Sequence, residues 1–459
     1  MTNPILAPEL LELINTGDTA KLQEAVDAVH PAEMADFVAA LNDADIWRLL
    51  AAIPKQQAAE IFSHFDLDRQ ATLAGGANRQ AMATLLEELP HDDRADLVQR
   101  LDPQVAEQIL PLVARAERED IRKLTSYAEG TAGALMSSDY ATLRPDMTVA
   151  QSLDQIRVQA PSKETIYYIY VVDEANRLIG FVSLKDLILA KPTQLVRDVM
   201  HEEVIIADVN EDQEPVARKI EKYDLLAIPI TNGDRRLVGI ITHDDALDVI
   251  RQEQQEDVEK LMAISGRHTA GEYLRTPAIR HFRNRVVWVV ILGVLGLVSG
   301  LIVQNFEGLL LHFAILAAFM PMLADTGGNT GSQSATLVVR ALALGEVQPR
   351  DLLRVIFKEF QVSVLLAVVL ALVAFGRVMA FGGGSTMPEG ASLAWVGTAI
   401  SIALGLQVIS ATLIGAILPL IAAKMKWDPA VVASPALTTI VDITGLLLFF
   451  GTAKLLLGM

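Results

Sequence analysis

Cysteine is absent from the 459 residues. That excludes a disulfide framework and any thiolate metal site. Basic charge is also short: 38 Lys+Arg stand against 56 Asp+Glu, a formal net charge of −18. A nucleic-acid binder needs a basic face toward phosphates, so that class is set aside. The N-terminal stretch MTNPILAPELLELINTGD has neither the basic start nor the continuous apolar core of a secretory signal. The first long part of the chain is therefore expected to stay in the cytosol. Catalytic motifs are missing as well: there is no HExxH, no Walker loop and no GxSxG. The eight His residues are scattered, none with metal-ligand spacing. The expectation is a non-enzyme, with any transport driven by a gradient rather than by ATP hydrolysis on this chain.

What is present is unevenly placed. From Arg285 to Met459 there are 9 Lys/Arg and 8 Asp/Glu, a net of +1, which leaves the preceding part at −19. An acidic aqueous part is thus joined to an apolar, charge-poor part, and a single soluble globule is excluded. Five apolar stretches follow Arg285: Val286 to Val303, Gly308 to Arg340 with Asp325 inside it, Phe360 to Gly376, Gly390 to Ala423, and Pro429 to Ala453 with Asp442 inside it. About 20 apolar residues suffice for a helix to cross a bilayer, and lipid leaves unpaired backbone no other solution here. Five membrane helices are expected. Arg275, Arg280, Arg283 and Arg285 precede the first; Arg340, Arg350, Arg354 and Lys358 follow the second; Lys424 and Lys426 precede the last. The segments QNFEG and GGGSTMPEG between them carry no cation. This alternation puts the N-terminal part in the cytoplasm and Met459 outside. Arg267 to Arg285 reads either as a helix or link on the membrane surface or as a plain basic flank.

The acidic part has three sections. Residues 1 to about 130 hold short apolar-periodic segments punctuated by Pro31, Pro54, Pro90 and Pro103, each followed by an Ala- and acid-rich helix start. An all-α superhelix of stacked short helices is expected. From Thr131 the pattern changes. YYIYVV (Tyr167 to Val172) and LIGFV (Leu178 to Val182) read as strands before a helix, and AIPI (Ala227 to Ile230) and LVGII (Leu237 to Ile241) repeat the order. Arg177-Leu178-Ile179-Gly180 aligns with Arg236-Leu237-Val238-Gly239 at an offset of 59. This tandem β-β-α unit resembles a pair of CBS domains, regulatory modules that commonly bind adenosine compounds. A long helix follows, acidic along its length from Asp244 to Glu259. Asp245, Asp248 and Glu256 fall near one face of it. It is either a solvated linker or a cation-binding face.

Two membrane motifs carry chemistry. PMLADTGGNTGSQS, Pro321 to Ser334, places Asp325, Asn329 and Gln333 at i, i+4 and i+8, on one helical face. Such neutral and acidic oxygens suit a hard or hydrated cation; close packing of small residues between helices is the other reading. In PALTTIVDITGLL, Asp442 is a lone carboxylate amid apolar residues. It should face water or a partner. It is either a cation site or a protonated acid bonded to a neighbouring helix. Two such carboxylates across a two-fold axis would match one divalent cation.

With GGNTGSQSAT, VDITGLL, five membrane helices and an acidic helix beside a CBS pair, the chain resembles the MgtE family of bacterial magnesium channels over nearly its full length. The resemblance implies a multidomain fold: an N-terminal helical domain (1–130), tandem CBS domains (131–250), a connecting or plug helix (251–284) and a five-helix membrane domain (285–459). It implies a homodimer in the bacterial inner membrane, among lipid, with the pore between protomers. Asp442 would select hydrated Mg2+, helped by the Thr438 backbone. Asn329, with Asp325 and Gln333, would line the gate region, and Glu307 would attract cations at the mouth. Cytosolic Mg2+ would be sensed by Glu60, Asp92, Asp96, Asp212, Glu214, Asp224, Asp245, Asp248, Glu253, Glu256 and Asp257, and an adenosine nucleotide is expected at the CBS pair. Mg2+ bridging these acidic faces would close the pore. The alternative is a secondary carrier coupling Mg2+ to Na+ or H+. The loop FGGGSTMPEG looks longer than such a fold needs.

Overall fold

The computed structural model describes residues 7–264, 276–382, 392–432 and 435–458. The chain divides into two compact units, 1–252 and 253–459. The division falls inside a single helix, His243–Leu261.

From Ala7 to Leu124 the first unit is a succession of short helices of seven to ten residues. Proline sets several starts. Pro31 and Pro103 occupy the first helical turn, and Pro54 and Pro90 immediately precede Lys55–Ser63 and His91–Arg100. A first-turn N–H has no partner within the helix, so proline loses nothing there. Asp18, Asn42 and Asn78 cap other helices and Asp102 caps the one that Pro103 starts, each side chain accepting a backbone N–H two or three residues on. The inward faces bury Met34, Ile46, Leu49, Phe62, Leu73 and Met82 in one core.

The repeat seen in the sequence folds as two three-stranded sheets. In the first, β1 (Tyr140–Leu143) runs parallel to β2 (Thr165–Val172), which is antiparallel to β3 (Leu178–Ser183). In the second, β4 (Ala207–Asp208), β5 (Ala227–Thr231) and β6 (Leu237–Thr242) repeat this order. β3 and β6 start 59 residues apart, as the sequence alignment requires. Asn176 and Arg235, also 59 apart, both sit at positive φ in the turns before them. The two copies touch there, with Arg177 and Arg236 forming an antiparallel bridge. Each copy is β-α-β-β-α, one strand and one helix more than the expected β-β-α. The added strands have four and two residues, too short to leave an alternating pattern.

Among the described residues of the second unit, four candidate spans are long and apolar enough to cross a membrane: Ala278–Asn305, Pro349–Phe381, Leu393–Lys424 and the last helical stretch, described as Pro429–Val432 and Pro435–Leu457. The remaining apolar stretch folds as a short helix, Glu307–His312, a 3-10 segment, Ala314–Phe319, and a 24-residue helix, Met320–Ala343. Leu393–Lys424 is central and the most enclosed. Its Ile400 and Leu404 pack with Leu316, Phe319, Phe449 and Phe450. Ala278–Asn305 buries no residue within the chain. Arg280, Arg283 and Arg285 belong to its first turns, so the basic flank is continuous with this helix. The earlier part of the expected surface segment, through Arg275, and the FGGGSTMPEG loop from Gly383 on lie outside the described residues.

Candidate functional site

Glycines bring the membrane helices together. A Cβ on Gly415 would stand 2.2 Å from the Gly331 carbonyl oxygen, and one on Gly331 would stand 3.2 Å from that of Ala411. Met320–Ala343 and Leu393–Lys424 therefore meet backbone to backbone. Gly327, Gly328 and Gly331 occupy this buried face. Asp325, Asn329 and Gln333 are exposed on the protomer, and Asn329 Nδ2 donates to Asp325 Oδ1 at 3.1 Å. The small residues of this motif thus pack against a neighbouring helix, and its Asp325, Asn329 and Gln333 lie on the opposite, exposed side of the same helix.

Asp442 is half-buried on Pro435–Leu457. It lines a cavity of about 220 Å³ with Ser299, Met320, Leu323, Gln407 and Gly445. Its Oδ1 is buried and has no hydrogen-bond partner among the described residues. The neighbour-bonded alternative gains no support from this. Thr438, one turn earlier, packs toward Gly328, whose added Cβ would lie 3.0 Å from Thr438 Cγ2. Glu307 is exposed in the first turn of its short helix.

The first unit gathers a second set of acids. Asp92, Asp93 and Asp96 come from His91–Arg100, and Asp244 and Asp245 from the start of His243–Leu261; Glu164 immediately precedes β2. Burial, then the charges of Asp245 and its neighbours, push Asp92 well above the usual carboxylate range. The same two causes raise Asp93 to about 7 and Glu164 to about 7. Asp245 is raised to about 6 by burial and Asp244, although it accepts a hydrogen bond from Thr242 Oγ1 at 2.5 Å. Much of the Asp96 side chain meets solvent, yet the protein mass around its carboxyl, with Asp245, raises it to about 6. Asp92 Oδ1 is buried without a partner among the described residues. Among those residues, no three acids or histidines converge as preassembled metal ligands. The carboxylates repel one another without closing on a point.

His91, adjacent to this cluster, is a residue that motif reading missed. Its Nδ1 lies 2.6 Å from Asp120 and its Nε2 lies 2.9 Å from Asp139. Ser138 Oγ donates to Asp120, Lys163 pairs with Asp139 at 3.3 Å, and Arg94 pairs with Glu117. Both ring nitrogens meet carboxylates, so the ring is an imidazolium tying the helical section to the first CBS-like copy. Burial alone would lower its pKa, but the hydrogen bonds to Asp120 and Asp139 outweigh that and push it to about 9. A histidine raised from 6.5 contributes stability in full below about 6.5, and the contribution is lost as pH rises through 9. The unfolding midpoint of the metal-free full chain in detergent is expected to fall between pH 7.5 and 9. His91→Gln should start lower at pH 7.5 and flatten that slope, measured by scanning fluorimetry.

The other expected sensor residues stand outside this cluster, except that the charge of Asp248, one turn past Asp245, helps raise it. Asp212 caps Gln213–Lys222 by accepting from Glu214 N at 3.0 Å, and Glu214 pairs with Arg218 at 2.5 Å. Asp224 is exposed in a turn at φ 50°. Asp248 pairs with Arg251, and Glu60 is exposed on Lys55–Ser63. Glu253, Glu256 and Asp257 lie on the later half of His243–Leu261. There Lys260 Nζ bridges Glu256 at 2.9 Å and Asp428 at 2.8 Å.

Three family profiles match this chain. They are a divalent cation transporter over residues 320–452, the MgtE intracellular N domain over 29–130, and the CBS domain over 132–192 and 196–252. The magnesium transporter MgtE of Thermus thermophilus is 38% identical over 455 residues, covering 98% of each chain. That of Bacillus subtilis is 32% identical over 454 residues, 99% of this chain and 98% of the relative. Among solved structures, the cytosolic domain of the Mg2+ channel MgtE in complex with ATP is 38% identical. It covers 53% of this chain and all of its own, with a TM-score of 0.51. The soluble part of a magnesium transporter is 33% identical and covers 54% of this chain and 97% of its own, with a TM-score of 0.52.

Proposed function

The chain belongs to the MgtE family of magnesium transporters, and from that premise we propose that it is a homodimeric, Mg2+-gated Mg2+ channel of the bacterial inner membrane. The observation that carries this reading is Asp442, a carboxylate with an unpartnered oxygen lining a cavity among apolar helices. An acid in that setting is costly unless it meets water or a cation. Mg2+ prefers about six oxygens and gives up its water reluctantly, so one carboxylate per protomer holds it with its shell. Met320–Ala343 serves as a fifth span: 24 residues at 1.5 Å rise give about 36 Å, enough for a hydrocarbon core of about 30 Å. Its exposed Asp325, Asn329 and Gln333 face the other protomer's pore surface rather than lipid, and Glu307 stands at the outer mouth. The Thr438 backbone assists Asp442. Five spans leave the N-terminal domains cytoplasmic and the C-terminus outside.

On the cytosolic side, Mg2+ relieves the repulsion between the Asp92–Asp96 helix and Asp245. The remaining acids of the set, Glu60, Asp212, Glu214, Asp224, Asp248, Glu253, Glu256 and Asp257, add weaker contacts. The connecting helix is fixed by this bridging at its Asp245 end, while its Lys260 end is held to Asp428 ahead of the last span. Mg2+ thereby favours the closed state by binding it better. The CBS pair takes an adenosine nucleotide such as ATP as a modulator. The test is Mg2+ flux into proteoliposomes with internal Mg2+ varied and no Na+ or H+ gradient. Flux that persists without a counter-ion gradient and stops as internal Mg2+ enters the millimolar range is expected. Flux that requires a Na+ or H+ gradient would replace the channel with a carrier.

A further inference from the structure

Gln407 lies in the middle of the Leu393–Lys424 helix and is 1% exposed. No motif pointed to it. Its amide is held in one orientation: Nε2 donates to the Leu323 carbonyl at 3.2 Å. Its Oε1 is left buried with no hydrogen-bond partner among the described residues. The side chain lines the same cavity as Asp442. Two glycines make room for it. A Cβ on Gly327 would stand 1.8 Å from Gln407 Nε2, and one on Gly445 would stand 2.9 Å from Gln407 Cγ. A side chain clamped on both sides and tethered at its nitrogen is preorganised. A buried amide oxygen left unpaired is a standing cost, which a packed apolar side chain of similar size would avoid.

The missing partner has a definite chemistry. It must donate a hydrogen bond, and it must tolerate a carboxylate in the same cavity. A hydrated divalent cation does both: it carries positive charge and its outer surface is all O–H donors. With Mg–O near 2.1 Å and a water radius of 1.4 Å, such an ion has a radius of roughly 3.5 Å and a volume of about 180 Å³. The cavity of about 220 Å³ beside Asp442 has room for the part of that shell turned toward this chain. Resting on the pore reading of Asp442, we propose that Gln407 is a second, neutral recognition group of the conduction site, whose amide oxygen accepts from the water shell of the cation that Asp442 attracts. The two side chains have separate parts: Asp442 supplies charge, and Gln407 supplies a fixed acceptor that favours an ion keeping its shell over one that sheds it.

The probe is hexaamminecobalt(III), an inert cation of similar size that presents only N–H donors and cannot lose its ligands. Mg2+ flux and its block by this complex are measured in proteoliposomes of the full chain. The variants are Gln407→Met, Gln407→Glu and Asp442→Asn, each with its unfolding midpoint recorded. Gln407→Met is expected to cut Mg2+ flux about tenfold and to weaken the block about tenfold. Gln407→Glu keeps an acceptor of the same reach and adds charge, so its block should tighten severalfold. Wild-type flux and wild-type block in folded Gln407→Met would overturn the proposal. If Gln407→Met does not fold, Gln407→Glu decides alone: a tighter block sustains the proposal and an unchanged block overturns it. Asp442→Asn separates the two levels. Should it lose flux while the Gln407 variants behave as wild type, only this inference fails; should it keep full flux, the pore reading fails with it.

Discussion

Asp442→Asn is expected to lower Mg2+ flux in proteoliposomes by on the order of 100-fold, with the unfolding midpoint unchanged or raised. The two halves of that result have one cause. The asparagine keeps the shape and removes the charge. At an outer-sphere distance of about 5 Å and an effective dielectric of about 20, a carboxylate and a divalent ion attract by roughly 6 kcal/mol before desolvation. Retaining about half of that in the conducting state is enough for a 100-fold effect. Stability moves the other way, because the carboxylate has an unpartnered buried oxygen among apolar residues and gains nothing from the fold. A structural carboxylate would behave oppositely: its replacement would lower the midpoint and leave flux per folded protein intact. That outcome, or full flux in the variant, would remove Asp442 from the pore.

Much of this molecule is legible in its sequence. The CBS-like repeat shows because its second hairpin strand is long, apolar and duplicated at a fixed offset, and β3 and β6 preserve that offset residue for residue. The short helices of the first section show through their prolines, since in short aqueous helices a residue that cannot donate is best placed at the start. Asp442 shows because one charge in an apolar run stands out. What stays hidden depends on tertiary approach. Glu164 joins the Asp92–Asp245 cluster from a strand entrance more than sixty residues away from either helix, with no motif around it. His91 is one of eight scattered histidines, and only folding brings Asp120 and Asp139 to its two nitrogens. Gln407 sits in a mostly apolar helix among scattered Ser and Thr residues, and only folding sets Gly327 and Gly445 of other helices against it. Acid positions alone do not separate sensors from structural carboxylates. Nor do they reveal local duties: Asp212 and Glu214, both in the expected sensor set, also make a helix cap and a local ion pair in this structure.

Under the proposed gating, the Asp92→Asn, Asp245→Asn double variant is expected to stay open at internal Mg2+ concentrations that would close the wild type, and to unfold at a higher temperature than the wild type when Mg2+ is absent. Both shifts follow from like charges held close. Asp92, Asp93, Glu164 and Asp245 all have raised pKa values, with burial first and mutual charge second. An acid whose folded pKa exceeds its unfolded value takes up protons on folding, so it costs stability increasingly as pH rises from about 4 through 7. Near pH 7.5 most of that cost is present at Asp93, Glu164 and Asp245, and neutralising two of the cluster's acids removes part of the repulsion. Divalent ions relieve the same repulsion by binding. At ten times a weak, millimolar dissociation constant each site contributes about 1.4 kcal/mol, a midpoint rise of several degrees when a few sites act together. The variant should lose part of that increment, because part of the repulsion that Mg2+ would relieve is already gone. Titrating Mg2+ against unfolding midpoint and against flux, in wild type and variant at pH 7.5, checks both predictions with one preparation. A variant that keeps the wild-type Mg2+ increment and still closes at wild-type concentrations would place the sensor elsewhere in the chain. A lost increment with unaltered closure would separate stabilisation from gating and leave the cluster a purely structural role.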